Sequence, residues 1–446
     1  MKVLIAVHGF PPTHIAGAER QAERTALWLL GSGHRVEVFA IESASADETR
    51  LTTTIENGLT VHRLYYNVTR HPDPVSALYD SPIVGSALRA VLARGQFDLL
   101  HVISGYLFGT QAVEAARERG IPVVISPTEY WFMCKQLNLL RPSGRLCSGP
   151  ETELKCASCA LEEKRRFRWL AMCAPSLSDT VLHAFVGLPF ARKRVQSVKQ
   201  RTASLQRCLS EADALICNSQ FMMQFYRRFG YSMERCRVIR LGLVKPEHTC
   251  TRPSGVVARE LRLGYLGQVK FHKGVDLLID AVLGLLREGH AVRLDLWDTA
   301  ISATGYARKL KSLSAARSEI HWNQPCDPAG VWQALARVDV LVVPSRWYEN
   351  SPAVILEAHA AGVVVVCAQL GGMAELVHNE EWGLTFRHND VAHLQTQLRR
   401  LLVERGLLER LRGNLPQVRS IDEEMAEVVD VYREVLRHHR VQFSHS

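Results

Sequence analysis

Short apolar runs alternate along this chain with longer segments of helical period. Lys2–His8 is an apolar run that stops at Gly9, Pro11 and Pro12. A helix is predicted from Ala18 to Leu30, with Ala26, Leu27 and Leu30 on one face and Glu19, Arg20, Glu23 and Arg24 elsewhere. Gly33–Ile41, Phe97–Ile103 and Ile121–Ser126 are further apolar runs, with a helical stretch at Ala112–Gly120 between the last two. Ala214–Ser219 and Arg237–Leu243 read as the last strands of this half. Strand, helix and strand at this spacing predict a parallel, doubly wound sheet.

Thr249–Glu260 carries Pro and Gly without a clear period and is read as a domain boundary. The pattern then restarts. Strands are expected at Leu261–Gln268, Val292–Asp298, Glu319–Gln324, Val338–Ser345 and Ala361–Gln369, with a helix over Lys273–Gly289 closed by Gly289. The Val338–Ser345 run is apolar on both faces, as a central parallel strand is. The predicted architecture is α/β, with two Rossmann-like doubly wound domains and a cleft at the carboxyl ends of both sheets. Residues 1–250 form the first domain, 260–418 the second, and 419–446 a helix returning to the first.

Composition narrows the function. The 446 residues are 47% hydrophobic and 22% charged, ordinary for a globular enzyme. The net charge of +9 favours an anionic partner: a phosphorylated ligand or an acidic membrane surface. Nucleic acid is set aside, because no recognition motif accompanies the charge. The 11 cysteines are odd in number and scattered on apolar segments, which suits a reducing compartment. Met1–His8 is too short for a signal sequence, and no window reaches the roughly 18 apolar residues of a spanning helix. A cytoplasmic protein is expected, peripheral on the inner face of the plasma membrane.

The chemistry concentrates at "WYENSPAVILEAHAAG", Trp347–Gly362, where Glu349 and Glu357 stand eight positions apart. Ser351 is a good N-cap and Pro352 fits the first helical position, so a helix Ala353–Ala361 is expected to aim its amino end at a ligand. Carboxylates accept hydrogen bonds bidentately, and paired sugar hydroxyls are a matching donor set. Spacing alone leaves Glu349 equally readable as a solvated loop residue and Glu357 as the partner of an arginine.

Pro344–Ser345, Glu349, Ser351–Pro352 and Glu357 resemble the Glu-x7-Glu signature of the retaining GT-B glycosyltransferases of family four. Gly371, Gly372 and Glu375 resemble the same family's following motif, Gly267 with Lys273–Gly274 its second-domain glycine and Lys-Gly, and the stretch from Ile15 its glycine loop and first helix. The resemblance covers nearly the whole chain in order. It implies that Glu357 holds the ribose of a sugar nucleotide. Glu349 and the backbone of Asn350 and Ser351 would touch the transferred sugar. Lys273 would neutralise the diphosphate, Gly267 and Gln268 would lie beside the donor, and the backbone near Gly17 would close over it. Glu349 and Lys273 are thus the implied catalytic pair, with no catalytic cofactor; the chain has no Asp-x-Asp triplet of the kind metal-dependent transferases use.

Two departures qualify the resemblance. Where the family has Arg after its glycine, this chain has Gln268, with Lys270 as a substitute or a surface lysine. Where relatives show His-Asp-x-Trp, it has Thr128–Glu129–Tyr130–Trp131, so no histidine-dependent step carries over. Glu129 and the strand-end His101 are the candidates for contacting an acceptor; a lone strand-end histidine such as His101 is more often structural.

A loop with Cys134, Cys147, Cys156 and Cys159 ends in a Cys-x2-Cys chelate spacing. Three readings stand: a structural tetrahedral zinc site, reduced cysteines in a partly buried loop, or two disulfides in an oxidising compartment. Between Leu161 and Arg201, nine Lys and Arg stand against three acids, mixed with Phe167, Trp169, Phe185, Val186, Leu188 and Phe190. This reads as an amphipathic segment on an anionic bilayer, or as a basic face packed on the protein. The insertion spans about 134–201.

The expected function is transfer of a sugar, with retention, from a UDP- or GDP-sugar to a glycan, lipid-linked, in surface polysaccharide or glycolipid synthesis. The alternatives are a sugar-nucleotide-binding protein of the same fold without transfer, such as an epimerase, and a membrane-surface scaffold.

Overall fold

A computed structural model describes residues 1–43, 49–244, 260–299, 304–326 and 328–443. The chain divides into two compact units, Met1–Ile239 with Met425–Ser446, and Arg240–Glu424. The segment read as a boundary, Thr249–Glu260, lies outside the described residues except for Glu260.

Among the described residues the first unit is built on eight strands: β1 (Lys2–Val7), β2 (Arg35–Ser43), β3 (Arg50–Glu56), β4 (Leu59–Tyr66), β5 (Leu99–Ile103), β6 (Val123–Ser126), β7 (Ala214–Cys217) and β8 (Cys236–Val238). Their order is β3-β4-β2-β1-β5-β6-β7-β8. Every pair is parallel except β3 with β4. Val3 to Val7 are fully buried, as the centre of a sheet covered on both faces requires.

The antiparallel β3–β4 pair was not anticipated. Its turn is Asn57–Gly58, with φ of 51° and 79°, the geometry that suits a right-twisted two-residue hairpin. The helix Gly17–Gly31 also differs from expectation. Its buried face is Ala22, Ala26 and Leu29, while Leu27 is 37% exposed and Glu19 only 5%. One residue around a helix is a rotation of about 100°, enough to turn Leu27 outward and Glu19 inward.

Among the described residues the second unit has six strands: β9 (Leu261–Gly267), β10 (Val292–Asp298), β11 (Ile320–Asn323), β12 (Val340–Val343), β13 (Val364–Ala368) and β14 (Gly383–Phe386). Their order is β11-β10-β9-β12-β13-β14, parallel throughout. β12 and β13 are buried at every position. The helix Val275–Arg287 packs Leu278 and Val282 into this core. β14 had no counterpart in the sequence reading; Gly383 and Thr385 break its apolar run.

The last helix, Ile421–Phe443, buries Met425 and Tyr432 completely. The Tyr432 hydroxyl lies 2.7 Å from His101 Nδ1 on β5.

Candidate functional site

In the second unit the site grows from the carboxyl ends of β9 and β12. After β9 the chain turns through Gly267 and Gln268, and buried Tyr265 donates its hydroxyl to the Gln268 carbonyl at 2.7 Å. A short 3-10 turn, Phe271–Lys273, then presents Lys273. Gly274 follows at φ +69°, and a Cβ there would lie 2.0 Å from the Pro344 carbonyl. Only glycine lets this turn lie so close to the chain leaving β12.

After β12, residues Ser345–Asn350 form the second wall. Glu349 is 5% exposed, and its Oε1 accepts from Lys273 Nζ at 2.6 Å, Ser345 Oγ at 2.7 Å and Trp347 Nε1 at 2.8 Å. All three donors converge on one oxygen, so Oε2 carries none of them. The solvated-loop reading of Glu349 is therefore set aside. Asn350 is buried. The helix runs Ala353–Ala360 with Pro352 at its N-cap, one residue later than expected, and Ser351 makes no capping bond. Ser351 Oγ is instead a buried hydroxyl without a hydrogen-bond partner. Glu357 is half-buried on that helix. The Asn350 carbonyl packs under Gly372, where a Cβ would lie 1.6 Å from it, and Gly372 N donates to the Glu349 carbonyl at 2.7 Å. Glu375 stands in the next short helix, Met373–Leu376, with Arg240 Nη2 at 3.8 Å. Lys270 is exposed, which fits its surface reading.

Sequence reasoning missed the residue that locks these two walls together. Arg346, 6% exposed, donates from Nη1 and Nη2 to the two Asp276 oxygens at 2.6 and 2.7 Å. It also donates from Nη1 to the Phe271 carbonyl at 3.0 Å and from its amide to the His272 carbonyl at 2.8 Å. Thus the loop bearing Glu349 is pinned to the turn bearing Lys273. Burial lowers the His272 pKa to about 4, with the Lys273 charge adding to it, so this ring is neutral at pH 7.

In the first unit, Gly17 opens the helix Gly17–Gly31 and is exposed. Glu129 is half-buried; Ser104 Oγ donates to its Oε1 at 2.6 Å and the Thr128 hydroxyl donates to its Oε2. His101 is a correction. It is 2% exposed, with Nδ1 2.7 Å from the Tyr432 hydroxyl and Nε2 2.7 Å from Ser126 Oγ. Burial lowers its pKa to about 3. Because β5 lies inside the sheet, the ring is locked in the core and has no face for an acceptor.

A different histidine, His8, stands beside the loop of Glu129. It follows β1, its Nε2 lies 3.4 Å from Glu19 Oε1, and Tyr106 packs edge-on at 5.4 Å. His8 Nδ1 and Glu19 Oε2 are buried without hydrogen-bond partners. Burial by itself lowers the His8 pKa, but the bond to Glu19 and the charges of Glu129 and Glu19 outweigh it and leave it raised. The signal was available: a polar residue ending a fully apolar strand just before a Gly-Pro loop.

Cys134, Cys147, Cys156 and Cys159 line one cavity of about 530 Å³ in this unit and are all free thiols. The disulfide reading is therefore not met. Nor, among the described residues, are three or more His, Cys, Asp or Glu side chains gathered as ligands of a single ion.

The insertion folds as helices Glu153–Leu161, Arg165–Cys173, Pro175–Gly187 and Arg192–Glu211. Its own small core holds Leu161, Leu182 and Val186, with Phe167 and Phe185 packed against it. Trp169 and Leu188 remain 67% and 45% exposed. The Phe190 side chain lies outside the described residues. No helix among the described residues is long and apolar enough to cross a membrane.

Two parallel-sheet Rossmann-like units define the GT-B fold. The family comparison agrees: residues 16–242, just over half the chain, match the model described as "Glycosyl transferase 4-like domain", and residues 260–404 match "Glycosyl transferases group 1". The chain belongs to this glycosyltransferase family. It is similar to a D-inositol 3-phosphate glycosyltransferase of Streptomyces bingchenggensis, 28% identical over 54% of this chain and 57% of the relative. It is also similar to a glycogen synthase of Mycobacterium tuberculosis, 30% identical over 45% of this chain and 48% of that one. The chain thus spans about half the length of the curated relatives it matches. Among solved structures, a sucrose-phosphate synthase from Thermosynechococcus elongatus superposes with a TM-score of 0.66 at 17% identity, covering 98% of this chain and 99% of that one. Anabaena HepE, solved in complex with UDP and glucose, gives 0.62 at 16% identity, covering 96% and 98%. These likenesses are of fold.

Proposed function

We propose that the protein is a retaining hexosyltransferase that moves a sugar from a UDP- or GDP-sugar to a lipid-linked glycan at the cytoplasmic face of an anionic membrane. The observation that carries this reading is Glu349, buried at the carboxyl end of β12 and held on one oxygen by Lys273, Ser345 and Trp347. That leaves Oε2 to accept from a sugar hydroxyl. The unpartnered Ser351 hydroxyl and the amino end of the helix Ala353–Ala360 supply donors beside it. Glu357 takes the ribose hydroxyls, and Glu129 faces the acceptor.

In the proposed reaction the acceptor oxygen bonds to the anomeric carbon as the bond from that carbon to the diphosphate oxygen breaks. The acceptor proton passes to the departing phosphate. Lys273 and the helix amino end stabilise the charge that gathers there; fixed groups of this kind stabilise a transition state by about 3–4 kcal/mol each. No catalytic metal is invoked. The test is incubation with a panel of UDP- and GDP-sugars, reading released nucleoside diphosphate with and without a lipid acceptor extract. Release that disappears in Glu349→Ala is expected. Tight nucleotide binding without release from any donor points to the non-transferring alternative.

Membrane association is supported by a separate observation. Trp169 and Met172 on the helix Arg165–Cys173, Leu177 and Val181 on the helix Pro175–Gly187, and Leu188 just after it are 43–67% exposed, and the first of these helices opens with Arg165, Arg166 and Arg168. An exposed apolar patch rimmed by arginines fits the interface of an anionic bilayer.

A further inference from the structure

Trp347 touches both members of the Lys273–Glu349 pair. Its indole Nε1 donates to Glu349 Oε1 at 2.8 Å, and Lys273 Nζ lies 5.4 Å from the centre of its ring. The backbone brings these contacts about. The Glu349 amide donates to the Trp347 carbonyl at 2.9 Å, a bond from i+2 to i that closes a three-residue turn. The turn is held on both flanks. Before it, the Arg346 side chain is tied to Asp276, and the Arg346 carbonyl lies 2.9 Å from His388 Nε2. After it, a Cβ on Gly371 would lie 2.8 Å from the Glu349 carbonyl and 3.0 Å from Tyr348 Cα, and Gly372 N donates to that carbonyl at 2.7 Å. The His272 ring crosses the indole at 87°, with ring centres 6.0 Å apart. Backbone, hydrogen bond and crossed ring together fix the indole.

The three donors on Glu349 Oε1 are not equivalent. Lys273 brings a compact charge on a flexible stem, and its ammonium is partly exposed. The Ser345 hydroxyl rotates and can donate elsewhere. The indole N–H is a donor only, set in the plane of a rigid ring. In the reaction proposed above, a diphosphate draws Lys273 outward, and Glu349 then depends on the donors that stay.

We propose that Trp347 is a positioning residue: its indole N–H keeps Oε1 of Glu349 in place, and so keeps Oε2 turned toward the sugar, when Lys273 leaves that oxygen for the diphosphate. The ring face offers the ammonium a favourable contact as it moves. No bond is made or broken at Trp347. The inference rests on the transferase reading and adds a residue to it.

The test compares the native chain with Trp347→Phe, which keeps a ring and loses the N–H. A second replacement puts 3-benzothienylalanine at position 347, where sulfur stands in for the N–H at nearly the same volume, so the test does not hinge on the fold of the Phe variant. Loss of one hydrogen bond to a charged group should lower kcat by about 10-fold in both, with KM for the sugar nucleotide changed by less than about 2-fold. In a Glu349→Ala background the same replacements should alter the residual rate by less than about 2-fold, because Trp347 acts through that carboxylate. A raised KM with unchanged kcat would make Trp347 a donor-binding residue and overturn the proposal. So would an equal loss of kcat in the Glu349→Ala background. A further readout needs no turnover. The indole N–H proton resonance that disappears in Trp347→Phe should keep its hydrogen-bonded position at saturating UDP or GDP, and move to the solvent-exposed position in Glu349→Ala. Movement to that position on nucleotide binding overturns the proposal. If the resonance holds but the native chain releases no nucleoside diphosphate from any donor, the transferase reading fails and the hold on Glu349 stands.

Discussion

Lys273 and Glu349 form an ion pair, Nζ to Oε1 at 2.6 Å, between loops 76 positions apart in sequence. The ammonium is 26% exposed and the carboxylate 7%, so the acid is fixed and the cation reaches outward. Each group is thereby prepared for the part of a sugar nucleotide it is proposed to meet. Lys273→Ala is expected to weaken nucleotide binding and slow the reaction together. Glu349→Ala is expected to lower turnover by about 100-fold or more with a smaller change in nucleotide affinity. Single-turnover assays of nucleoside diphosphate release, paired with nucleotide titration, separate the two. Unchanged rates in both variants would remove the pair from the reaction.

Arg346 and Asp276 test the lock between the two loops. Arg346 is buried and Asp276 partly so, and removing one partner leaves the other without its hydrogen bonds, at a cost of about 1–3 kcal/mol. Arg346→Ala should therefore unfold at distinctly lower urea and lose donor hydrolysis, because the Lys273 turn is no longer held against the Glu349 loop. Burial raises the Asp276 pKa, but the bonds from Arg346 and Tyr306 overcome this and hold it below the usual range. Its contribution is present above about pH 4 and falls away as acid protonates it.

His101 and Tyr432 are expected to affect stability and not chemistry. Tyr432→Phe deprives a buried ring nitrogen of its partner, a loss of about 1–3 kcal/mol. The last helix should lose hydrogen-exchange protection first. The folded His101 pKa is about 3. It is depressed from an unfolded value of about 6.5, so stability is complete above that value and falls as pH drops toward 3. His101→Phe should flatten this acid limb; an unaltered limb would mean that other groups set it.

His8 has the opposite sign. Its folded pKa is raised, so the pairing with Glu19 contributes fully below the unfolded value of about 6.5 and is lost as pH rises through the folded one. The stability gap between the native chain and His8→Gln should be widest near pH 5.5 and close at alkaline pH. A gap independent of pH would show that the ring acts only by packing.

The exposed Trp169 and Met172 should bind lipid. Burying each such side chain is worth about 1.5–3 kcal/mol, roughly tenfold or more in partition. Trp169→Ser with Met172→Ser is expected to abolish sedimentation with phosphatidylglycerol vesicles while leaving donor hydrolysis intact. Equal sedimentation of variant and native chain would place the contact elsewhere.

Much of the scaffold was legible because parallel strands buried on both faces are written as unbroken apolar runs, as at Val340–Val343 and Val364–Ala368. The Glu349–Glu357 spacing and the Lys-Gly turn were equally visible, since a loop and the helix after it are local. Glu19 and Leu27 were misplaced because periodicity gives the angular spacing of a helix but not its rotation against the sheet. His101 looked available because its partner, Tyr432, lies 331 residues away.

The sequence by itself determined the order of strands and helices, the glycine turns and the types of charge available near each strand end, because these follow from local periodicity and backbone freedom. Only the tertiary structure decided which charges meet. It joined Lys273 to Glu349 and Arg346 to Asp276, sealed His101, exposed Trp169 and ringed one cavity with four thiols. Those outcomes depend on distances between segments far apart in the chain, and such distances are set by packing the whole.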